Sequence, residues 1–151
     1  TLSKGPEKVF VVVKATEAIT AGQIVAFSLD GTDDGLDAEP CDTAVLSNGV
    51  VGAADDAIAS GDYGLVQVYG INDAVKVNTG GTATNANRAL GDLLSPGSSG
   101  SGALGGGNGG VAAASGGIGS AKGWPAFVAA VSSASSAATN TQTTKVFIRT
   151  L

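Results

Sequence analysis

Any chemistry in this chain must come from carboxylates, hydroxyls and one thiol, because its 151 residues include no histidine and a single cysteine, Cys41. Without imidazole, neither a Ser-His-Asp nor a Cys-His arrangement can be assembled, and a zinc site containing histidine is excluded. Cys41 has no partner for an internal disulfide and no histidine base to make it a thiolate, so it reads as a small packing residue. The densest carboxylate cluster is Asp30 to Asp42, DGTDDGLDAEPCD. Its opening resembles a calcium hand loop: Asp30, Thr32 and Asp34 would take the first ligand places and Gly35 the turn. The twelfth place, where a bidentate Glu is needed, is Cys41, so the match fails at its most demanding position. The segment therefore reads as an exposed acidic loop, with an irregular weak cation site on Asp33, Asp34 and Asp37 as the alternative. Asp55-Asp56 could form a coupled carboxylate pair, but neighbours on a strand face opposite ways and a pair in a turn is simply solvated. Gly100, Gly102 and Gly105 spell a formal G-x-G-x-x-G. The following Gly106-Gly107-Asn108-Gly109-Gly110 cannot open the helix that a pyrophosphate site requires. The expectation is a protein that is not an enzyme, with no catalytic, cofactor-binding or metal-binding residues and no cofactor.

The elements that carry these residues are short strands. With 24 glycines and only 5% aromatic residues among recurring Val, Ala, Ser and Thr, the composition suits strands and turns rather than long helices. The expected fold class is all-β, a small β-barrel or β-sandwich. Residues 1–7 read as an N-terminal arm, since Gly5-Pro6 discourages regular structure. Residues 8–151 read as a single β-rich domain with a Gly-rich insert at about 95–121. Lys8 to Ala15, KVFVVVKA, is a strand that is apolar on both faces and so is expected to be central or covered on both sides. Strands are expected at Ile24 to Leu29 and at Val50 to Ala54. The alternating run Gly64 to Tyr69 and the run Ala74 to Val77 read as two strands joined at a corner, Gly70-Ile71-Asn72-Asp73, with Leu65, Gln67 and Tyr69 on one face and Val66 and Val68 on the other. Leu90 to Leu94, Ala126 to Ser132 and Lys145 to Leu151 complete the set.

The two halves echo one another. AGQIVAFSLDG followed by VVGAADDAIASGDYGLVQVYG has a weak counterpart in LGDLLSPGSSGSGAL followed by AFVAAVSSASSAATNTQTTKVFIRTL. Each half has a turn glycine, a short strand, a polar loop, a strand of small residues, a connection and a closing strand. Two weakly similar halves sharing one core are therefore expected.

Charge is uneven around a net value of −5. Residues 30–92 hold eleven of the thirteen acids, whereas 93–151 hold none beside Lys122, Lys145 and Arg149. Lacking clustered cations, the chain does not read as a nucleic-acid binder. It has no apolar run near 18 residues and no charged-then-apolar leader, so neither a membrane span nor an intact secretory signal is expected.

Thr20-Ala21-Gly22-Gln23-Ile24-Val25, Val51-Gly52-Ala53-Ala54, Ala59-Ser60-Gly61-Asp62 and Gly64-Leu65-Val66-Gln67-Val68 together resemble the head decoration, or cement, proteins of tailed bacteriophages. The likeness covers about residues 17–71, with a fainter second pass over 90–151, and the glycine-rich insert departs from the pattern. It implies a small β-tulip-like fold without catalysis, made in the host cytoplasm and bound to the outer surface of the expanded virion shell. Its partners would be the major capsid protein and further copies of itself, as a homotrimer at local threefold positions, with no nucleic acid, membrane or small-molecule substrate. The arm of such proteins pairs with capsid strands. The matching residues here are Thr1, Leu2, Ser3, Lys4, Gly5 and Pro6, with Lys8 and Phe10 of the following strand. Trp124 and Pro125 are the candidates for contact between subunits. The alternative is a surface-exposed binding module, of head-fibre or adhesin type, presenting Trp124, Tyr63 or Tyr69 to a sugar.

Overall fold

A computed structural model describes residues 7–29, 36–41, 49–78, 93–96, 104–105, 127–129 and 141–150. These residues are all-β, with no helix among them. Nine strands among the described residues form one mixed sheet: β1 (Val9–Ala15), β2 (Ile24–Phe27), β3 (Asp37–Pro40), β4 (Val50–Ala54), β5 (Tyr63–Asn78), β6 (Leu93–Pro96), β7 (Leu104–Gly105), β8 (Phe127–Ala129) and β9 (Thr141–Arg149). Pairing runs β1-β3-β2-β4-β5 and returns from β5 to β1; it also runs β5-β7-β6-β8-β9 and returns from β9 to β5. β5 belongs to both circuits. Its first part pairs with β1 and β4, and the stretch from Tyr69 to Asn78 pairs with β9 and β7.

β5 is one 16-residue strand rather than two strands meeting at a corner. The turn-like residues act inside the strand. Gly70, at φ 102°, takes a backbone shape that side chains resist, and a Cβ there would strike the Glu7 carbonyl. The ladder to β9 then shifts register between Asn72 and Val75, a bulge that re-aims the strand without ending it. Turn chemistry predicted the place of the irregularity and overstated its size.

The core of the first circuit is a cluster of Val13, Ala15, Ile19, Val25, Ala38, Val51, Ala54, Ile58, Val66 and Val68, with Val11 and Phe27 packed against it. Each fully buried Val or Ile side chain stabilises the fold by roughly 1.5–3 kcal/mol. Ile19 and Ile58 clip the two connections together, each N–H donating to the other's carbonyl at 2.9 Å. Gly22, at φ 76°, sits so close to β5 that a Cβ would collide with the Ala74 carbonyl, and its own carbonyl accepts from the Lys76 N–H at 2.8 Å.

Two expectations change. The acidic segment is not wholly an exposed loop, because Asp37–Pro40 forms β3 and buries Asp37, Ala38 and Cys41. Pairing to Lys14 and Ala15 on one side and to β2 on the other supplies the reason. β1 pairs as expected, but its outward face is not covered: Val12 is 53% exposed. Leu65 and Gln67 lie across from Val12 and Phe10 in an unbroken register, with Gln67 fully buried and Leu65 half exposed.

Candidate functional site

β1 and the adjoining part of β5 hold the surface best suited to meeting a partner. The Lys14 N–H donates to the Leu36 carbonyl on the β3 side, while the Ala15 N–H donates to the Asp62 carbonyl on the β5 side, both at 2.9 Å. Backbone groups alternate along a strand, so Phe10 and Val12 aim their N–H and C=O groups the same way as Lys14. The described pairing of β3 with β1 is at Lys14 and Ala15. Among the described residues, no strand pairs with this edge between Val9 and Val13. Its outward face is apolar as well. Val12 lies across from Leu65 and Lys14 across from Tyr63, and Val12, Leu65 and Tyr63 are all exposed. An apolar edge whose amides no described strand pairs is a candidate template for another strand.

Charge surrounds this edge. Lys14 lies 3.6 Å from the Asp37 carboxylate, and Lys8 is exposed at the entrance to β1. Val9 pairs with Tyr69, which pairs with Arg149, so cations from widely separated parts of the sequence converge. Lys145 bonds Asp73 at 2.7 Å, and this hydrogen bond, together with the nearby charges of Lys145 and Lys8, holds the Asp73 carboxyl below its ordinary range. Tyr69 meets the ring of Phe147 edge-on, with centroids 5.4 Å apart.

Beneath this surface lies a buried amide chain. Asn72 Nδ2 donates to Gln67 Oε1 at 3.1 Å, Gln67 Nε2 donates to the Tyr69 carbonyl at 3.0 Å, and the Ala74 N–H donates to Asn72 Oδ1 at 2.9 Å. These bonds satisfy polar groups that burial would otherwise penalise, and they fix β5 through its irregular stretch.

Of the sequence-derived candidates, Lys8 is exposed and Phe10 is half-buried, paired across to Gln67. Thr1, Leu2, Ser3, Lys4, Gly5, Pro6, Trp124 and Pro125 lie outside the described residues, as do Asp33 and Asp34. Asp37 is committed to Lys14, and among the described residues no group of acids and cysteine has the arrangement of a metal site. The sequence reading missed Val12, Leu65 and the Gln67–Asn72 pair. The signal for Val12 was available: a strand apolar on both faces either has both faces covered or leaves an apolar face exposed.

The described residues define an all-β protein with a mixed sheet. No family model, curated protein or solved structure matches the chain.

Proposed function

We propose that this chain is a non-enzymatic structural protein that decorates the outer surface of a mature phage head, using the β1 edge and the residues before it to bind the major capsid protein. The observation that carries this reading is the apolar edge at Phe10 and Val12, which no strand among the described residues pairs, directly after the segment that the sequence marks as an arm. Strand addition draws affinity from backbone hydrogen bonds and specificity from alternate side chains. A shell offers many equivalent sites, so modest contacts made by many copies stabilise it.

The finer fold reading is two small closed β-units that share β5. The registers support it. Ile24 lies opposite Ala53, and Leu93 opposite Val128; Ala53 lies opposite Gln67, and Val128 opposite Phe147. Phe27 lies opposite Ala38 as Pro96 lies opposite Leu104, and the parallel pair Ala15 with Ala38 has its counterpart in Val77 with Leu104. Strand for strand, β1–β5 correspond to the second part of β5 followed by β6–β9. This is the order in which the two sequence halves echo one another.

The test is co-sedimentation with tailed-phage heads stripped of minor proteins, in expanded and unexpanded forms. Saturable binding to expanded heads alone, at a fixed ratio to the major capsid protein, is the expected result; no binding to either form would overturn the reading. The exposed Tyr63 favours the second reading, a surface binding module, and a glycan array would then be the discriminating measurement.

A further inference from the structure

We propose that the outer face of the β1–β5 ladder is a docking surface in its own right, and that its partner is a protein segment carrying aliphatic and basic side chains together. The ladder fixes which residues lie on that face. Val12 lies across from Leu65 and Lys14 across from Tyr63 in an unbroken register, while the alternate residues Val11, Val13 and Val66 belong to the core side. An antiparallel ladder with one face on a core ordinarily shows polar residues on the other. Here Val12 is 53% exposed, Leu65 49% and Tyr63 66%, so three of the six large apolar residues exposed among the described ones sit together. The face ends at Phe10 and Gln67, where burial resumes.

Charge at the border of this face selects the partner. The Asp55 N–H donates to the Leu65 carbonyl at 3.2 Å, which sets Asp55 beside Leu65 in the continuation of the β4 ladder. Asp62, whose carbonyl accepts from the Ala15 N–H at 2.9 Å, directly precedes Tyr63. Asp55, Asp56 and Asp62 are all exposed, and the one ammonium on the face, Lys14, already lies 3.6 Å from the Asp37 carboxylate. Among the described residues, carboxylates therefore outnumber cations around the apolar ladder. An aliphatic side chain seated on Val12 and Leu65 would bring a neighbouring Lys or Arg to these carboxylates and to the Tyr63 ring, whose face attracts a cation. The border is held in place beforehand: Ile19 and Ile58 bond each other in both directions, and the Ser60 hydroxyl donates to the Thr16 carbonyl at 2.8 Å. This surface is a sheet face rather than the β1 edge, so it stands apart from the shell reading, and its test needs no phage heads.

The test is a peptide array probed with the labelled full chain. Its peptides share one length and are aliphatic and basic, aliphatic and acidic, aliphatic and neutral, or basic without aliphatic residues. The first class alone is expected to bind, and more weakly as salt rises. For a peptide of that class, Leu65→Ser is expected to raise the Kd about tenfold, and Tyr63→Ala, at a still more exposed position, is expected to weaken binding with the melting temperature retained. Asp55→Asn combined with Asp56→Asn should raise the Kd about fivefold at low salt and have little effect at high salt, a dependence that a merely structural change would not show. The proposal is overturned by an array on which no class binds, by basic peptides that bind equally well without aliphatic residues, or by Leu65→Ser and Tyr63→Ala proteins that keep the wild-type affinity. Selection of a neutral glycan in place of any peptide would overturn it as well.

Discussion

Three residues on β5, Gln67, Asn72 and Asp73, divide the roles of polar groups between interior and surface. Gln67 and Asn72 are buried and bonded to each other, so removing either leaves a polar group without its partner. Asn72→Ala is expected to cost about 1–3 kcal/mol in chemical denaturation. A Gln67→Leu/Asn72→Ala double variant should lose less than the sum of the two single changes. Asp73 is exposed, and its carboxyl is held down chiefly by the hydrogen bond from Lys145. A carboxylate whose folded pKa lies below its unfolded value stabilises the fold above the unfolded value, and that contribution is lost as pH falls through the folded one. In an NMR titration the Asp73 midpoint should therefore lie below the ordinary carboxylate value, and in Lys145→Ala it should move up. Gly22 is a backbone matter: φ 76° and the nearby Ala74 carbonyl leave no room for a side chain. Gly22→Ala is expected to cost about 2 kcal/mol or more, read from the melting transition.

Legibility from sequence differed element by element, for physical reasons. β1 and β4 were readable because β-branched and small apolar residues run unbroken between turn signals: VFVVVKA and VVGAA. Val146 and Ile148 of β9 alternate inward as the pattern Val-Phe-Ile-Arg requires. β3 was hidden because Asp-Ala-Glu-Pro has poor strand propensity, and only its pairing between β1 and β2 makes it a strand. β5 was divided because glycine and an Asn-Asp pair usually mark a turn, whereas here they bend a strand whose two parts serve different neighbours. The candidate edge was half legible: the strand and its lysines could be read, but which residues of it β3 pairs depended on where β3 begins. Deleting Thr1 to Pro6 takes away the segment that the sequence marks as an arm and should leave the melting temperature within a few degrees. Attachment to expanded heads should be lost in the same protein. Retained attachment would remove the arm from the account.

Across the whole molecule, the core cluster lies between Val11 and Val68, inside the first pairing circuit. A fragment ending at Asn78 contains all five strands of that circuit and is expected to unfold cooperatively in a thermal melt followed by circular dichroism. A gradual, non-cooperative loss of signal would mean that the first circuit depends on the second. The long shared strand also has a mechanical consequence. Val9 at the start of β1 and Arg149 at the end of β9 both lie across from Tyr69, and from there the two ladders run in opposite directions along β5. Tension entering before β1 and leaving after β9 would load the sheet at that one point. Hydrogen bonds would then break in sequence, like the teeth of a zip, instead of sharing the load as they do in shear. A pulling experiment on these two ends should yield at low force, whereas a handle moved to Tyr63 would load β1 lengthwise and find a much stiffer molecule.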